Sequence, residues 1–500
     1  MSLPPPGTPI ILDIGSAYVK IGFAGESNPR FVFPCITGTE KYQAVMVDVG
    51  ARSVYVGNDA MKMRGVLKVK YPIQRGAIVD WNEYYEILNH IFYNLLRIED
   101  LSQYPVIYAE HPFVPKETKE YIARVLFETH NVNSLIMMES PILSSFSVGL
   151  TTSLVVESGD GVTWIVPIIN GQLHHQAVQR LNLAGFDINQ NLKALMMQEG
   201  INITSSAADE ILKEIKEKNC YFVLDPRNPP KNRDEVMFPM PDGTMQEIPN
   251  RVLYEAPEVM FQPSMLGYNI MNIAQAVIYC LQLVNKEHWN ELLTHIVFSG
   301  GNLSYSGFEE RFKQELNQLL PQLGSIPKPK KKKKDSSSHQ NMLKSIISDK
   351  KERDTCPECG EVVDLSEDID TCPACGASLQ VPKVEIGLGG DDSSPTVLNQ
   401  DNCPFCGKKI KDKSSSFCPY CGKPLEVTQK SPKFMEPEAA PEFVDTDSSD
   451  ELLTYFIPDN LQTSIFNGAS ILGSLPSFQS LFITQQEFQA TPEILYQDIS

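Results

Sequence analysis

Glu157-Ser158-Gly159-Asp160-Gly161-Val162 is the stretch on which the reading of this chain turns. It joins two apolar, β-branched runs, TSLVVESG (152–159) and VTWIVPII (162–169), so it reads as a tight turn between strands. Gly-Asp-Gly between strands is ordinarily no more than a hairpin turn. A second turn of the same character changes its weight. Asp13-Ile14-Gly15-Ser16, with Lys20 just beyond, separates the apolar runs PIILDIG (9–15) and VKIGFAG (19–25). A third, Ser299-Gly300-Gly301, follows another apolar strand. Glycines allow a backbone to turn sharply and to bring its N–H groups onto phosphate oxygens. Ser16 adds a hydroxyl donor and Lys20 a cation. Asp13 and Asp160 suit a Mg2+ ion that keeps most of its water shell and takes few protein ligands.

Outward from these turns, residues 8–324 alternate short β-rich runs with helical stretches at Trp81–Leu96, Lys116–Thr129 and Ser206–Lys218, the pattern of a folded α/β body. From Ser325 to Asp450 the texture changes to Lys, Ser, Asp, Gly and Pro with little apolar periodicity. At Glu451 the globular pattern resumes with LLTYFI and the helix-like Phe466–Leu475. The last fifty residues, 451–500, are too few for a core of their own, so they are expected to complete the first body. Residues 325–450 are then an insertion in a surface loop.

The segments KYPIQRG, FETHNV, ESGDGVT, LNLAGFDI, EIKEKNCY, FQPSMLG, VFSGGNLSYSGF and ASILGSLPSFQSLFITQQEF follow one another in an order and spacing that resembles the actin and actin-related family. The resemblance covers 8–324 and 451–500. It implies the two-domain α/β fold shared by actins, heat-shock chaperones and sugar kinases, closing on ATP–Mg2+. Carried over by position, it implies phosphate loops at Asp13, Gly15, Ser16 and Lys20, and at Gly159, Asp160, Gly161 and Val162. The adenosine side would be Gly185, Lys213, Lys216, Glu217, Gly301, Asn302, Ser304 and Tyr305. On residue pattern alone, Lys216 and Glu217 would read as a solvated helix face.

Several positions depart from the family. The residues that orient the attacking water, a Gln and a His, are here Ser140 and Trp164. A serine is shorter, and an indole N–H donates without accepting. A metal-proximal Asp is Glu157, a Lys near the adenine is Gln462, and a Gly in the first loop is Ala17. The expectation is ATP binding with weak or absent hydrolysis, and no intact catalytic residue at these places.

Eight of the eleven cysteines form four knuckles, each a Cys-Pro-x-Cys-Gly: Cys356 with Cys359, Cys372 with Cys375, Cys403 with Cys406, and Cys418 with Cys421. Two thiolates three positions apart chelate one ion, and paired knuckles give a tetrahedral four-thiolate site that favours Zn2+. Proximity pairs them as two modules, 354–380 and 401–426. Both ions are read as structural, because four thiolates leave no open position for chemistry. Metal is expected to supply most of the folding energy of such small modules. Cys35, Cys220 and Cys280 stand alone and read as buried free thiols.

The formal net charge of -19 argues against general affinity for nucleic acid, and Lys328–Lys334 is the local exception. No apolar run is long enough to span a bilayer, and the N-terminus does not read as a signal peptide. A cytoplasmic location is expected, with a nuclear one open. The family's regulator-binding apolar cleft aligns with Phe146, Gly149, Ile471, Leu472, Leu475 and Leu481, and ordinary core packing fits these residues equally well. The subunit-inserting loop aligns with Thr39–Val56, while the insertion begins where family members bury filament contacts. The leading function is therefore an ATP-binding cytoskeletal or scaffold protein with its zinc modules as a recruitment arm for protein partners. The alternatives are a polymerising ATPase and a nucleic-acid-associated adaptor.

Overall fold

The computed structural model describes residues 3–41, 54–203, 208–230, 236–240, 243–324 and 453–496. All fall in the compact unit formed by Met1–Asp335 and Glu438–Gln497. The expected zinc ligands all lie outside the described residues: Cys356, Cys359, Cys372 and Cys375 of the first module, and Cys403, Cys406, Cys418 and Cys421 of the second. Lys328–Lys334 and most of Thr39–Val56 lie outside them too.

Two sheets organise this body, and each is built around one of the glycine hairpins. The first runs, in spatial order, Ile483–Thr484, Ser134–Glu139, Val106–Glu110, Ile10–Ile14, Tyr18–Phe23, Phe31–Pro34. Ile10–Ile14 is antiparallel to Tyr18–Phe23 and parallel to Val106–Glu110, with Asp13 opposite Ala109. The second runs Gln172–Leu173, Thr163–Ile169, Ser153–Ser158, Ile296–Ser299, Tyr455–Phe456. Ser153–Ser158 is antiparallel to Thr163–Ile169 and parallel to Ile296–Ser299. The central strands are covered on both faces, which is why they read as continuous apolar runs. Ile10, Ile11, Leu12, Leu154, Val155 and Val156 are all fully buried. Each such side chain contributes about 1.5–3 kcal/mol through burial.

The C-terminal segment supplies an edge strand to each sheet, Tyr455–Phe456 beside Ile296–Ser299 and Ile483–Thr484 beside Ser134–Glu139. Between them, helix Ser464–Gly473 packs against helix Ser140–Ser147. Gly468 makes this crossing close: a Cβ there would fall 1.8 Å from the Leu143 carbonyl oxygen.

That crossing also divides the six residues aligned with the regulator-binding cleft. Phe146 and Leu472, one on each of the two helices, and Leu481 beyond them are buried at 2% exposure or less and belong to the core. Gly149, Ile471 and Leu475 stay half-exposed. The expected helix at Trp81–Leu96 is α-helical over Trp81–Asn89 and widens to π-turns over His90–Leu95. Cys35, Cys220 and Cys280 are free and buried, and burial raises all three thiols, Cys35 and Cys220 to about 12.

Candidate functional site

The turns of the two glycine hairpins line one cleft. With them come the end of helix Ala208–Asn219, the turn Gly300–Tyr305, and Gln462 and Ile465 from the C-terminal segment. Fourteen of the sixteen residues expected at the nucleotide line it: Asp13, Gly15, Ser16, Lys20, Gly159, Asp160, Gly161, Val162, Lys216, Glu217, Gly301, Asn302, Ser304 and Tyr305. So do the substituted positions Ala17, Glu157 and Gln462.

Close packing between the loops depends on glycine at two places. A Cβ on Gly161 would lie 2.5 Å from Ser16 Oγ and 2.9 Å from Arg75 Cα. Gly300 has φ +91°, and a Cβ there would lie 2.2 Å from the Ser158 carbonyl oxygen. Around them the polar groups are tied down. Lys20 Nζ donates to Asp13 Oδ2 at 2.7 Å, and Lys216 Nζ to Asp160 Oδ1 at 3.3 Å. The Gly76 N–H donates to Ser16 Oγ at 3.0 Å, and Asn302 Nδ2 donates to Ser158 Oγ and to the Gly159 carbonyl.

Gly185 and Lys213 do not line the cleft. Gly185 knits the loops from behind: its N–H donates to the Gly159 carbonyl at 3.1 Å, and its own carbonyl accepts from Lys216 at 3.0 Å. The Lys213 ammonium sits 3.8 Å from the Tyr18 ring centroid, a cation–π contact. Tyr18 in turn donates to Glu217 Oε2 at 2.9 Å, and Tyr71 donates to Glu210 Oε1 at 2.9 Å. Two tyrosines thus bridge to a single helix, and burial together with these glutamates raises both phenols well above their usual range.

Arg75 makes a third brace. Its guanidinium meets the fully buried Asp187 as a fork, Nη1 to Oδ2 at 2.5 Å and Nη2 to Oδ1 at 2.7 Å. Nη1 also donates to the Gly161 carbonyl at 3.2 Å. Sequence reasoning singled out neither Arg75 nor Asp187, which lie 112 positions apart.

Ser140 and Trp164 occupy the floor behind the second loop, and neither lines the cleft. Ser140 Oγ donates to Glu157 Oε1 at 2.8 Å. Trp164 is buried opposite Glu157 across the hairpin, and its indole Nε1 has no hydrogen-bond partner among the described residues. Its ring stacks on His111, a cleft residue that sequence reasoning missed, with centroids 6.4 Å apart and planes at 27°. Burial pushes the Glu157 carboxyl up to about 7, assisted by Asp13 and opposed by the Ser140 hydrogen bond and Lys20. Burial pushes His111 down to about 4, with Asp13 opposing and Arg180 and Lys20 adding, so its imidazole is neutral at pH 7.

The donor set fits Mg2+ held largely by water and phosphate. Among the described residues no three His, Cys, Asp or Glu side chains converge as a protein-only metal site. Asp13 and Asp160 face one cleft, each with a lysine partner, an arrangement suited to a hydrated ion beside polyphosphate. Among the described residues no helix is long and apolar enough to cross a membrane.

Comparison with known families gives two matches. A sequence model of the actin family matches residues 6–339, about two thirds of the chain. A double zinc ribbon model matches residues 356–422. That match spans all four knuckles, from Cys356 and Cys359 through Cys372, Cys375, Cys403 and Cys406 to Cys418 and Cys421.

Proposed function

The chain belongs to the actin family and carries a double zinc ribbon, and from that premise we propose that it binds ATP–Mg2+ between the two glycine turns, hydrolyses it more slowly than ordinary actins, and uses the ribbon to recruit protein partners. The observation that carries the reading is the convergence of Asp13, Ser16, Lys20, Asp160, Gly161, Lys216 and Asn302 on one cleft between two hairpins of like construction. The Gly15 and Gly159 N–H groups close the two turns by donating to the Tyr18 and Val162 carbonyls, which leaves the Gly161 N–H to meet a phosphate oxygen, with Lys20 and Lys216 supplying charge. Glu217 and Tyr305 would take the nucleoside end. Asp13 and Asp160 would hold Mg2+ through its water shell, and the ion would supply positive charge to the phosphates. In the ribbon, Cys356, Cys359, Cys372 and Cys375 would hold one structural Zn2+, and Cys403, Cys406, Cys418 and Cys421 a second.

Slow hydrolysis follows from the floor of the site. Ser140 is committed to Glu157, and Trp164 offers an indole buried away from the cleft. Neither can place a water by the route the family uses. Bound ATP then acts as a structural or conformational switch in a cytoplasmic scaffold or cytoskeletal protein.

The test compares the full chain with a version lacking Ser325–Asp450, following ATP binding, phosphate release and sedimentation in Mg-ATP together. The proposal expects both versions to bind ATP and to release phosphate slowly. Filaments with phosphate release at the rate of ordinary actins would instead make this a polymerising ATPase. Salt-dependent retention on DNA, lost with the deletion, would make it the nucleic-acid-associated adaptor.

A further inference from the structure

The three departures at Ser140, Glu157 and Trp164 surround one histidine. His111 follows directly on the strand Val106–Glu110, the parallel neighbour of Ile10–Ile14, and so stands at the carboxyl end of the strand paired with the first loop. Carboxyl ends of parallel strands are where α/β sheets place their chemistry. Its Nδ1 is buried and lies 3.9 Å from Glu157 Oε1, the oxygen that also accepts from Ser140. Glu157 Oε2 lies 3.5 Å from Ser144 Oγ, whose single proton has a nearer acceptor in Ser299 Oγ at 3.0 Å. The carboxylate is therefore held firmly at Oε1, the oxygen that is also nearest the imidazole. His111 lines the cleft, and its ring edge bearing Cδ2 and Nε2 faces Gly76: a Cβ there would lie 3.2 Å from Cδ2, 3.5 Å from Nε2 and 3.6 Å from Val162 Cγ2. Trp164 stacks on the ring and walls it from behind. Nε2 has no hydrogen-bond partner among the described residues.

We propose that His111 holds the attacking water for the slow hydrolysis in this cleft, with Glu157 orienting its ring and Ser140 fixing Glu157. The inference rests on the ATP-binding reading above. A carboxylate beside Nδ1 keeps the proton on that nitrogen and leaves the Nε2 lone pair free to accept from water, the division of labour found wherever a carboxylate orients a catalytic histidine. The extra methylene of Glu157, relative to the family's aspartate, extends the carboxylate towards His111. The gap of 3.9 Å exceeds a hydrogen bond, and catalytic contacts of this kind shorten when the substrate complex closes. In the step itself the water oxygen forms a bond to the γ-phosphorus as the bond to the β–γ bridging oxygen breaks. ADP leaves with that electron pair, and the proton lost by the water ends on the released phosphate. The transition state of such transfers is loose, so aiming the water matters more than the basicity of the group that aims it.

The experiment measures ATP affinity and single-turnover phosphate release in the full chain and in His111→Ala, His111→Gln, His111→Asn and Glu157→Gln. His111→Ala should slow phosphate release about 100-fold while ATP affinity stays within about threefold of wild type. His111→Gln, whose amide reaches the Nε2 position, should retain more of the rate than His111→Asn, whose amide reaches only the Nδ1 position. Because His111 and Glu157 act as one unit, the double variant His111→Ala/Glu157→Gln should be no slower than His111→Ala alone. If His111→Ala folds poorly, the Gln and Asn pair decides the matter. Equal rates in Gln, Asn and wild type would overturn the proposal, as would a wild-type protein that binds ATP yet releases no phosphate above the uncatalysed rate; in both cases the ATP-binding reading would stand. A wild-type protein that fails to bind ATP would remove both.

Discussion

Replacing Arg75 by alanine takes away the fork that neutralises Asp187, and the structure sets the size of the effect. Asp187 is fully buried, so its carboxylate has no access to water once the guanidinium is gone. Removing one partner of a buried ion pair costs about 3–5 kcal/mol, chiefly because the other charge is stranded. The stranding is incomplete here. Oδ2 keeps the Ala184 N–H at 2.8 Å, and Oδ1 keeps the Tyr268 hydroxyl at 3.1 Å. These bonds place the loss near the lower figure, about 3 kcal/mol, with the contact from Nη1 to the Gly161 carbonyl lost in addition. Domains of 150–250 residues lose roughly 2–4 °C of melting temperature per kcal/mol, and larger bodies lose less, so a fall of about 5 °C is expected. Arg75→Lys keeps the charge but only one prong, and should cost about half as much. Adding Asp187→Asn to Arg75→Ala removes the stranded charge and should recover part of the loss. Thermal melts of the four proteins test this. Arg75→Ala melting within a degree of wild type, or Asp187→Asn making it worse, would refute the claim that this pair braces the second loop.

Four other consequences follow from named contacts. Glu110 is buried beside Lys119, and burial lifts its carboxyl to about 7, with Lys119 opposing and Glu139 adding. The folded state therefore holds a proton between about pH 4.5 and 7 that the unfolded chain has released, so this group's contribution to stability falls as pH rises through that window. Glu110→Gln should flatten the pH dependence of melting there by up to about 3 kcal/mol overall, and an unchanged slope would show that Glu110 ionises normally. Gly468→Ala puts a methyl group into the Leu143 carbonyl and should destabilise the body by at least about 2 kcal/mol in urea melts; a neutral result would mean the two helices separate freely. Tyr18→Phe removes the hydroxyl bridge to Glu217 while keeping the ring under Lys213, and should speed release of a fluorescent ATP analogue about fivefold, as loss of about 1 kcal/mol would. Stripping zinc with a strong chelator should unfold the ribbon, seen as loss of protease resistance within 354–426, and leave ATP affinity unchanged; falling affinity would show that ribbon and cleft are coupled.

What could be read in the sequence follows a physical division. The glycine turns were legible because their pattern is local: Gly15, Gly159 and Gly161 sit within a few positions of Asp13, Lys20 and Asp160, which line the same cleft. The α/β alternation was legible because strands buried on both faces must be apolar throughout, as Ile10–Leu12 and Leu154–Val156 are. The braces were not, because each pairs residues far apart in the chain: Tyr18 with Glu217, Arg75 with Asp187, His111 with Glu157. Glu217 and Glu157 were singled out by the resemblance, but their partners Tyr18 and His111, like Arg75 and Asp187, read singly as ordinary residues, and only the fold brings the pairs together. Lys213 shows the converse. Its position in the resemblance pointed to the nucleotide, and its ammonium packs on the ring of Tyr18, a residue that lines the cleft. Phe146, Leu472 and Leu481 fitted groove and core alike, and the fold buries all three, the first two on the helices that cross at Gly468.

The central claim is that this cleft binds ATP and turns it over slowly. Titrating the full chain with Mg-ATP by calorimetry, then following phosphate release from the same sample in a single turnover, tests it most directly. The account predicts one nucleotide per chain and phosphate release well below the rate of ordinary actins. An absence of binding, or release at the rate of ordinary actins, would contradict it.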